Sequence, residues 1–147
     1  MPVVKRPITA GGAIVEIGIS TSFGRQQALK KAGQPVPNPI FGRGLIDTGA
    51  SCTCIDPSVA AALGLVPTGI CQVFTASSDT TPDHCRQYDI GLGILMDDTQ
   101  AHRVSLTIPV IETLLVRHGY IALIGRDVLA HGVMVYSGKT ATIKLSF

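Results

Sequence analysis

The sequence has no tryptophan, few other aromatic residues and few charges. Only 5% of its 147 residues are aromatic and 15% are charged, whereas soluble domains usually carry about 25% charged residues. A hydrophobic content of 46% excludes a disordered chain and exceeds what we expect one monomer of this size to bury. The net charge is only +2 and no long basic run occurs, which argues against nucleic acid as the main partner.

Targeting and membrane segments are also missing. Residues 1–7 contain no apolar signal core, and the longest uncharged stretch, 57–78, is interrupted by Pro67 and by glycines. Neither stretch resembles a membrane span, which needs about 20 consecutive apolar residues. We therefore expect a cytoplasmic protein that does not interact with membranes.

The cysteines and histidines show no spacing typical of a metal site. The four cysteines are Cys52, Cys54, Cys71 and Cys85. No second pair follows Cys52 and Cys54 at zinc-ligand distance, so we predict no metal. Cys71 and Cys85 flank a predicted hairpin, so they could face each other across it. In a cytoplasmic chain, however, we expect four reduced thiols.

Short apolar runs separated by glycine, proline and polar turns fill most of the chain. The predicted strands are 13–20, 40–47, 70–74, 86–96, 103–110, 120–124, 133–136 and 140–145. Short helices are predicted at 25–32, at 57–63 after a cap at Asp56, and at 128–131. Residues 21–39 form a long loop between two strands. Many short strands with very short helices predict one all-β, barrel-like domain over 1–147.

One strand ends in a carboxylate. Apolar residues lead into Asp47, and Thr48 and Gly49 make a tight turn directly after it. A strand that buries an aspartate must have a use for it, because an unpaired buried charge is costly. The run occurs once, so a reaction that needs two such carboxylates must take the second from another copy of the chain.

Two segments together resemble a known family. Residues 45–51, Leu-Ile-Asp-Thr-Gly-Ala-Ser, resemble the active-site turn of retropepsin-like aspartic proteases. Residues 122–129, Ala-Leu-Ile-Gly-Arg-Asp-Val-Leu, resemble the apolar-apolar-Gly-Arg-Asp/Asn segment before the family's C-terminal helix. More weakly, 86–89 resembles the strand descending from the flap, and 142–147 the terminal dimerisation strand, of viral members. The resemblance covers nearly the whole chain and identifies it as a single-domain member of the cellular or bacterial type.

The resemblance implies a closed-barrel acid-protease fold with a flap hairpin at 71–88 and an insertion at 21–39. It implies an aspartic endopeptidase that acts as a homodimer on peptide or protein substrates, with no metal and no organic cofactor. Asp47 from each copy would form the dyad that activates water, with Thr48 and Gly49 supporting it. The substrate-binding residues that it implies are Gly49, Ala50, Ser51, Thr75, Ala76, Ser77 and Ser78. The residues that it implies as structural support are Ile124, Gly125, Arg126 and Asp127.

The chain departs from the family pattern at three places. Ser51 replaces an acid that pairs with the arginine in many viral members, which leaves Arg126 to bind backbone carbonyls or another acid. The flap tip lacks the usual glycines. Ala50, as in viral members, replaces the hydroxyl residue common in pepsins and removes a hydrogen bond to the carboxylate, so we predict a pH optimum nearer neutral than that of pepsins.

Other functions remain open from the residues alone. Asp47 is compatible with a structural role as a turn cap, and the same dimeric fold is compatible with a catalytically weak peptide-binding module or a purely structural dimerisation domain. An aspartyl-phosphate nucleophile is excluded because its lysine is missing and no α/β alternation occurs. The retained Asp47-Thr48-Gly49 turn favours the protease, because a pure binder gains nothing from two adjacent carboxylates.

Overall fold

A computed structural model describes residues 2–74, 80–96 and 103–147. The strands are β1 (Val3–Thr9), β2 (Gly12–Thr21), β3 (Ile40–Ile46), β4 (Cys54–Ile55), β5 (Gly69–Val73), β6 (Asp83–Leu95), β7 (Arg103–Glu112), β8 (Ala122–Ile124), β9 (Val133–Ser137) and β10 (Thr142–Ser146). The helices are α1 (Phe23–Lys31), α2 (Pro57–Ala62) and α3 (Arg126–Leu129), with a 3₁₀ turn at Val116–His118. No helix in these three ranges is long and apolar enough to cross a membrane.

Six strands close into a barrel, which confirms the predicted all-β fold. Their order around the barrel is β2-β6-β7-β4-β8-β3, and β3 pairs again with β2. The β3–β8 and β4–β7 pairs are parallel, and the remaining barrel pairs are antiparallel. The largest fully buried side chains include Ile17, Ile19, Ile55, Ile90, Ile94 and Ile124. β-Branched residues suit strands whose alternate side chains fill a core, so the same isoleucines favour the strands and form the interior.

Two extensions leave the barrel. Strand β5 pairs with β6 and forms one end of the sheet, and the β1-β10-β9 layer forms the other end. Strand β10 therefore has a partner on each side, β1 and β9. Of residues 142–147, which resemble a terminal dimerisation strand, all but Phe147 form strand β10. However, β10 is paired on both sides, so within the described chain it has no free edge, whereas β9 has one.

Two strands, β1 and β4, were not predicted from the sequence, for different reasons. Strand β1 contains Lys5, Arg6 and Pro7, which hide its alternation. Pro7 is tolerated because it stands where β1 changes partner from β10 to β2. Strand β4 has only two residues, which is too short to show a period.

The helices begin close to the predicted positions. Helix α1 starts at Phe23, two residues before the predicted start, because the Ser22 hydroxyl accepts a hydrogen bond from the N–H of Arg25 (3.2 Å). None of its residues is buried, so the helix lies on the surface, whereas Thr21 before it is buried. Helix α2 has the predicted Asp56 cap and ends before Gly64, whose φ of 59° needs glycine. Helix α3 starts at Arg126, also two residues early, with an acid, Asp127, in its first turn.

Candidate active site

The turn that carries Asp47 is attached to the barrel through β8. The N–H of Asp47 donates to the carbonyl of Ile124 (2.9 Å), which continues the parallel β3–β8 pairing by one residue. The N–H of Ala50 then donates to the carbonyl of Asp47 (3.2 Å) and closes the turn. The N–H of Gly49 donates to Oδ1 of Asp47 (2.9 Å), so the carboxylate shapes its own loop.

Asp47 is half-buried in the single subunit, whereas the sequence indicated a buried carboxylate. It lies at an open depression of about 540 Å³. The lining residues are Ala10, Gly11, Leu45, Asp47, Leu114, Leu115, His118, Tyr120 and Leu123. Four of these nine residues are leucines. Within the described ranges, no group of three or more His, Cys, Asp or Glu side chains could hold a metal ion.

The Arg126 side chain braces the turn through main-chain carbonyls. Its Nη1 donates to the carbonyl oxygens of Thr48 (2.9 Å) and Gly49 (3.2 Å). Its own N–H donates to the carbonyl of Ala50 (2.9 Å). Because Ser51 replaces the usual acid, Arg126 was expected to bind either backbone carbonyls or another acid. In the structure it binds backbone carbonyls. One residue contacts three successive peptide groups, which fixes the main chain directly after Asp47.

A buried threonine that the sequence analysis missed links the turn to α3. Thr53 is fully buried, and its hydroxyl donates to Oδ1 of Asp127 (2.7 Å) and accepts from the N–H of Gly125 (3.1 Å). Its main-chain N–H donates to Oδ2 of Asp127 (2.9 Å). Asp127 also accepts from the N–H of Val128 (2.9 Å) within the first turn of α3. The available signal was a hydroxyl residue at the start of an otherwise apolar run, six positions after Asp47.

Gly125 permits the close approach of these two segments. A Cβ atom at this position would lie 2.6 Å from the carbonyl carbon of Cys52 and 2.7 Å from its oxygen. Real Cβ atoms do not approach backbone atoms this closely, so any larger residue would push β8 and the exit of the turn apart. The glycine of the second family-like segment is therefore needed for backbone contact.

Asp56 forms a second buried link, of which the sequence predicted only the helix cap. Its side chain is 3% exposed and accepts from the N–H (2.9 Å) and the hydroxyl (2.6 Å) of Ser58. It also accepts from the N–H groups of Leu115 (2.8 Å) and Val116 (2.9 Å). Burial raises the pKa of Asp56, but these hydrogen bonds outweigh it and lower the pKa to about 2. The ionised carboxylate therefore ties α2 to the segment that borders the Asp47 depression.

The other residues expected to bind substrate differ in how much the structure says of them. Thr48, Gly49 and Ser51 are exposed and Ala50 is half-buried, so the turn presents a continuous accessible segment. Thr75, Ala76, Ser77 and Ser78 lie outside the described residues. The strands on either side of them, β5 and β6, form the antiparallel hairpin expected for the flap.

Three solved structures align with this chain. The retropepsin-like aspartic protease from Rickettsia conorii aligns with a TM-score of 0.56 and 14% identity, covering 97% of this chain and 89% of that chain. The retroviral protease-like domain of Ddi1 from Leishmania major gives a TM-score of 0.41 at 12% identity, covering 86% and 83%. EIAV protease complexed with the inhibitor HBY-793 gives 0.37 at 13% identity, covering 62% and 76%. The first alignment shows that the fold is that of a retropepsin-like protease.

The family follows from the sequence comparison. A family model described as aspartyl protease matches residues 33–108, which is more than half of the chain and includes the Asp47 turn. No curated protein sequence matches the chain. The chain belongs to the aspartyl protease family.

Proposed function

We propose that the protein is a homodimeric aspartic endopeptidase in which Asp47 from each of two copies activates the water that cleaves a peptide bond. The observation that carries the proposal is the half-buried Asp47 carboxylate on a cross-braced turn, open to a depression. Membership of the aspartyl protease family supports it. One chain supplies one such turn, so the second carboxylate has to come from a second copy.

The chemistry follows from two carboxylates held close together. Like charges about 3 Å apart do not both ionise, so the pair shares one proton. The ionised partner removes a proton from the bound water, and the protonated partner donates a hydrogen bond to the scissile carbonyl. The pair titrates as a unit, so its two ionisation steps belong to the dimer rather than to either residue.

The turn also offers a binding edge for an extended peptide. Gly49 donates its N–H to Asp47, and its carbonyl accepts from Arg126 at 3.2 Å. A carbonyl oxygen has two lone pairs, so a peptide N–H can use the second. We expect the substrate to lie along Gly49, Ala50 and Ser51, as in strand addition.

Exposed apolar side chains near the turn are suited to a second copy. Leu114, in the lining of the Asp47 depression, is 74% exposed, and the neighbouring Val116 is 55% exposed. Strand β9 adds an unpaired edge with exposed Val133, Val135 and Tyr136. A two-fold axis places identical patches against each other, which would cover these residues and bring the two Asp47 turns together.

Peptide hydrolysis by the wild type, Asp47→Asn and Asp89→Asn tests the proposal. Asp89 is an exposed carboxylate on β6 and serves as the matched control. Against a diverse peptide library at pH 3–8, we expect Asp47→Asn to lose about 100-fold or more of the activity, while Asp89→Asn keeps it. Peptide binding without cleavage by the wild type would instead indicate a binding module.

Mixing the wild type with Asp47→Asn tests the shared dyad. If subunits exchange freely in an equal mixture, about a quarter of the dimers keep two carboxylates, so activity falls below the half that simple dilution gives. Mixing with Asp89→Asn should cause no such fall. A monomer at every concentration in sedimentation, or activity proportional to the wild-type fraction, contradicts the dimeric site.

A further inference from the structure

Two cysteines face each other across the hairpin of β5 and β6. The antiparallel register pairs Cys71 directly with Cys85, between the pairs Ile70–Arg86 and Gln72–His84. Directly paired residues have Cα atoms about 4.5–5.5 Å apart and side chains on the same face. A disulfide spans Cα atoms about 4.4–6.8 Å apart, so a directly paired position meets this distance requirement. We propose that Cys71 and Cys85 are a modification site. A low-molecular-weight disulfide such as oxidised glutathione oxidises the pair, and a disulfide forms between the two cysteines across the strands.

The side-chain contacts agree with the register. Sγ of Cys71 donates to Oε1 of Gln87 at 2.8 Å. Gln87 follows Cys85 by two positions on β6, so both project from the same face of the strand. Cys71 and Cys85 are free and half-buried, which leaves them reachable by a small reagent but held within the sheet. The 2.8 Å contact shows that the Cys71 side chain is already directed towards β6.

The other two cysteines are poorer reaction partners. Cys54 is only 8% exposed, and its thiol donates to the carbonyl of Cys52 at 3.8 Å. Burial raises the pKa of Cys54 to about 12, so its reactive thiolate is scarce. Cys52 lies between β3 and β4, outside the β5–β6 register that sets Cys71 opposite Cys85. We therefore expect these two thiols to remain reduced under conditions that oxidise the cross-strand pair.

The reaction proceeds by two exchanges. The thiolate of one cysteine attacks a sulfur of oxidised glutathione, which forms a mixed disulfide and releases one glutathione thiolate. The thiolate of the second cysteine then attacks the protein sulfur of the mixed disulfide and releases the second glutathione. Two protein thiols are oxidised, one glutathione disulfide is reduced, and the two thiol protons end on the two released glutathiones. Reduced glutathione in excess reverses both steps.

The disulfide would stabilise strand β5, which pairs with one other strand in the described part of the chain. Strand β5 ends the sheet, and its partner within the described residues is β6. Closing the chain between residues 71 and 85 restricts the unfolded state, so oxidation should raise the urea midpoint of unfolding. This expectation concerns stability and thiol chemistry, and it does not depend on whether the protein cleaves peptides.

Thiol titration and peptide mapping test the site. Burial, followed by the charges of Asp83 and Glu112, raises the pKa of Cys85, so the exchange is run at about pH 8.5. The intact protein is treated with oxidised glutathione, quenched with acid, denatured and titrated. We expect a loss of two of its four free thiols, a mapped Cys71–Cys85 link and a raised urea midpoint. Cys71→Ser and Cys85→Ser should abolish the link, while the control Cys52→Ser keeps it.

Three results would overturn the proposal: four free thiols after treatment, a lasting glutathione adduct without an internal link, or a mapped link from Cys71 to Cys52. A Cys71–Cys52 link is the competing disulfide because Cys71 lies close enough to Cys52 for its charge to raise the pKa of Cys52. These results use the wild type, so they stand even if a serine variant folds poorly. A protein without peptidase activity would refute the proposed function and leave the disulfide result unaffected.

Discussion

Asp47 and Asp56 lie nine positions apart, each at the end of a short strand, yet their surroundings are opposite. Asp56 is 3% exposed and accepts four hydrogen bonds, three of them from main-chain N–H groups. Asp47 is half-buried, and within the described residues its carboxylate accepts from one N–H, that of Gly49. A carboxylate with every lone pair used can only hold structure together. A carboxylate with free lone pairs at an open depression remains available for chemistry.

Removing the Asp56 side chain should cause the largest effect. Asp56→Ala leaves the N–H groups of Leu115 and Val116 without an acceptor and removes the cap of α2. At about 1–3 kcal/mol for each unsatisfied buried group, we expect a loss of about 4 kcal/mol in the free energy of unfolding. Urea denaturation measures this loss, with Asp89→Ala as an exposed control. A loss below about 1 kcal/mol would show that water replaces the carboxylate.

Asp127 stands between the two extremes. It is half-buried and accepts from the N–H and hydroxyl of Thr53 and from the N–H of Val128. We expect Asp127→Ala to cost about 2–3 kcal/mol, less than Asp56→Ala because water can reach part of the site. In a double-mutant cycle, Thr53→Val and Asp127→Ala should couple by about 1 kcal/mol or more. Additive losses would mean that the two side chains act independently.

The pH dependence of stability sharpens the comparison further. The pKa of Asp56 falls from 3.8 to about 2 on folding, so its contribution is complete above about pH 4 and is lost as the pH falls through 2. The shift corresponds to about 2 kcal/mol, at about 1.4 kcal/mol for each pKa unit. Urea midpoints from pH 5 to pH 2 should fall more steeply for the wild type than for Asp56→Asn. Parallel curves would contradict this assignment.

Asp47→Asn should cause the smallest change in stability. Asparagine keeps a side-chain oxygen that can accept from the N–H of Gly49, so we expect a change within about 0.5 kcal/mol in urea denaturation at fixed protein concentration. The same variant should lose peptide hydrolysis. A loss of 2 kcal/mol or more would instead place Asp47 with Asp56 as a structural residue and remove the contrast.

Local patterns predicted the elements but not the contacts between distant segments. The alternation in β2 and the cap-proline-glycine series around α2 identified those elements, because period and turn chemistry are local properties. Arg126 reaches Thr48 across 78 positions and Gly49 across 77, and Asp56 reaches Leu115 across 59. No local pattern encodes such pairs. The family resemblance predicted that Arg126 supports the turn, but only the fold shows that it does so through carbonyl oxygens.

The parallel pairing of β3 with β8 affects how the protein is made. Gly44–Ile46 pair with Ala122–Ile124, so the main support of the Asp47 turn is synthesised about 78 residues after the strand that it supports. At about 5–20 residues per second on the ribosome, this corresponds to a delay of roughly 4–16 seconds. During that time the nascent chain carries the carboxylate on a turn without its parallel partner or its arginine brace. The order of synthesis therefore keeps the candidate site unassembled until the barrel can close.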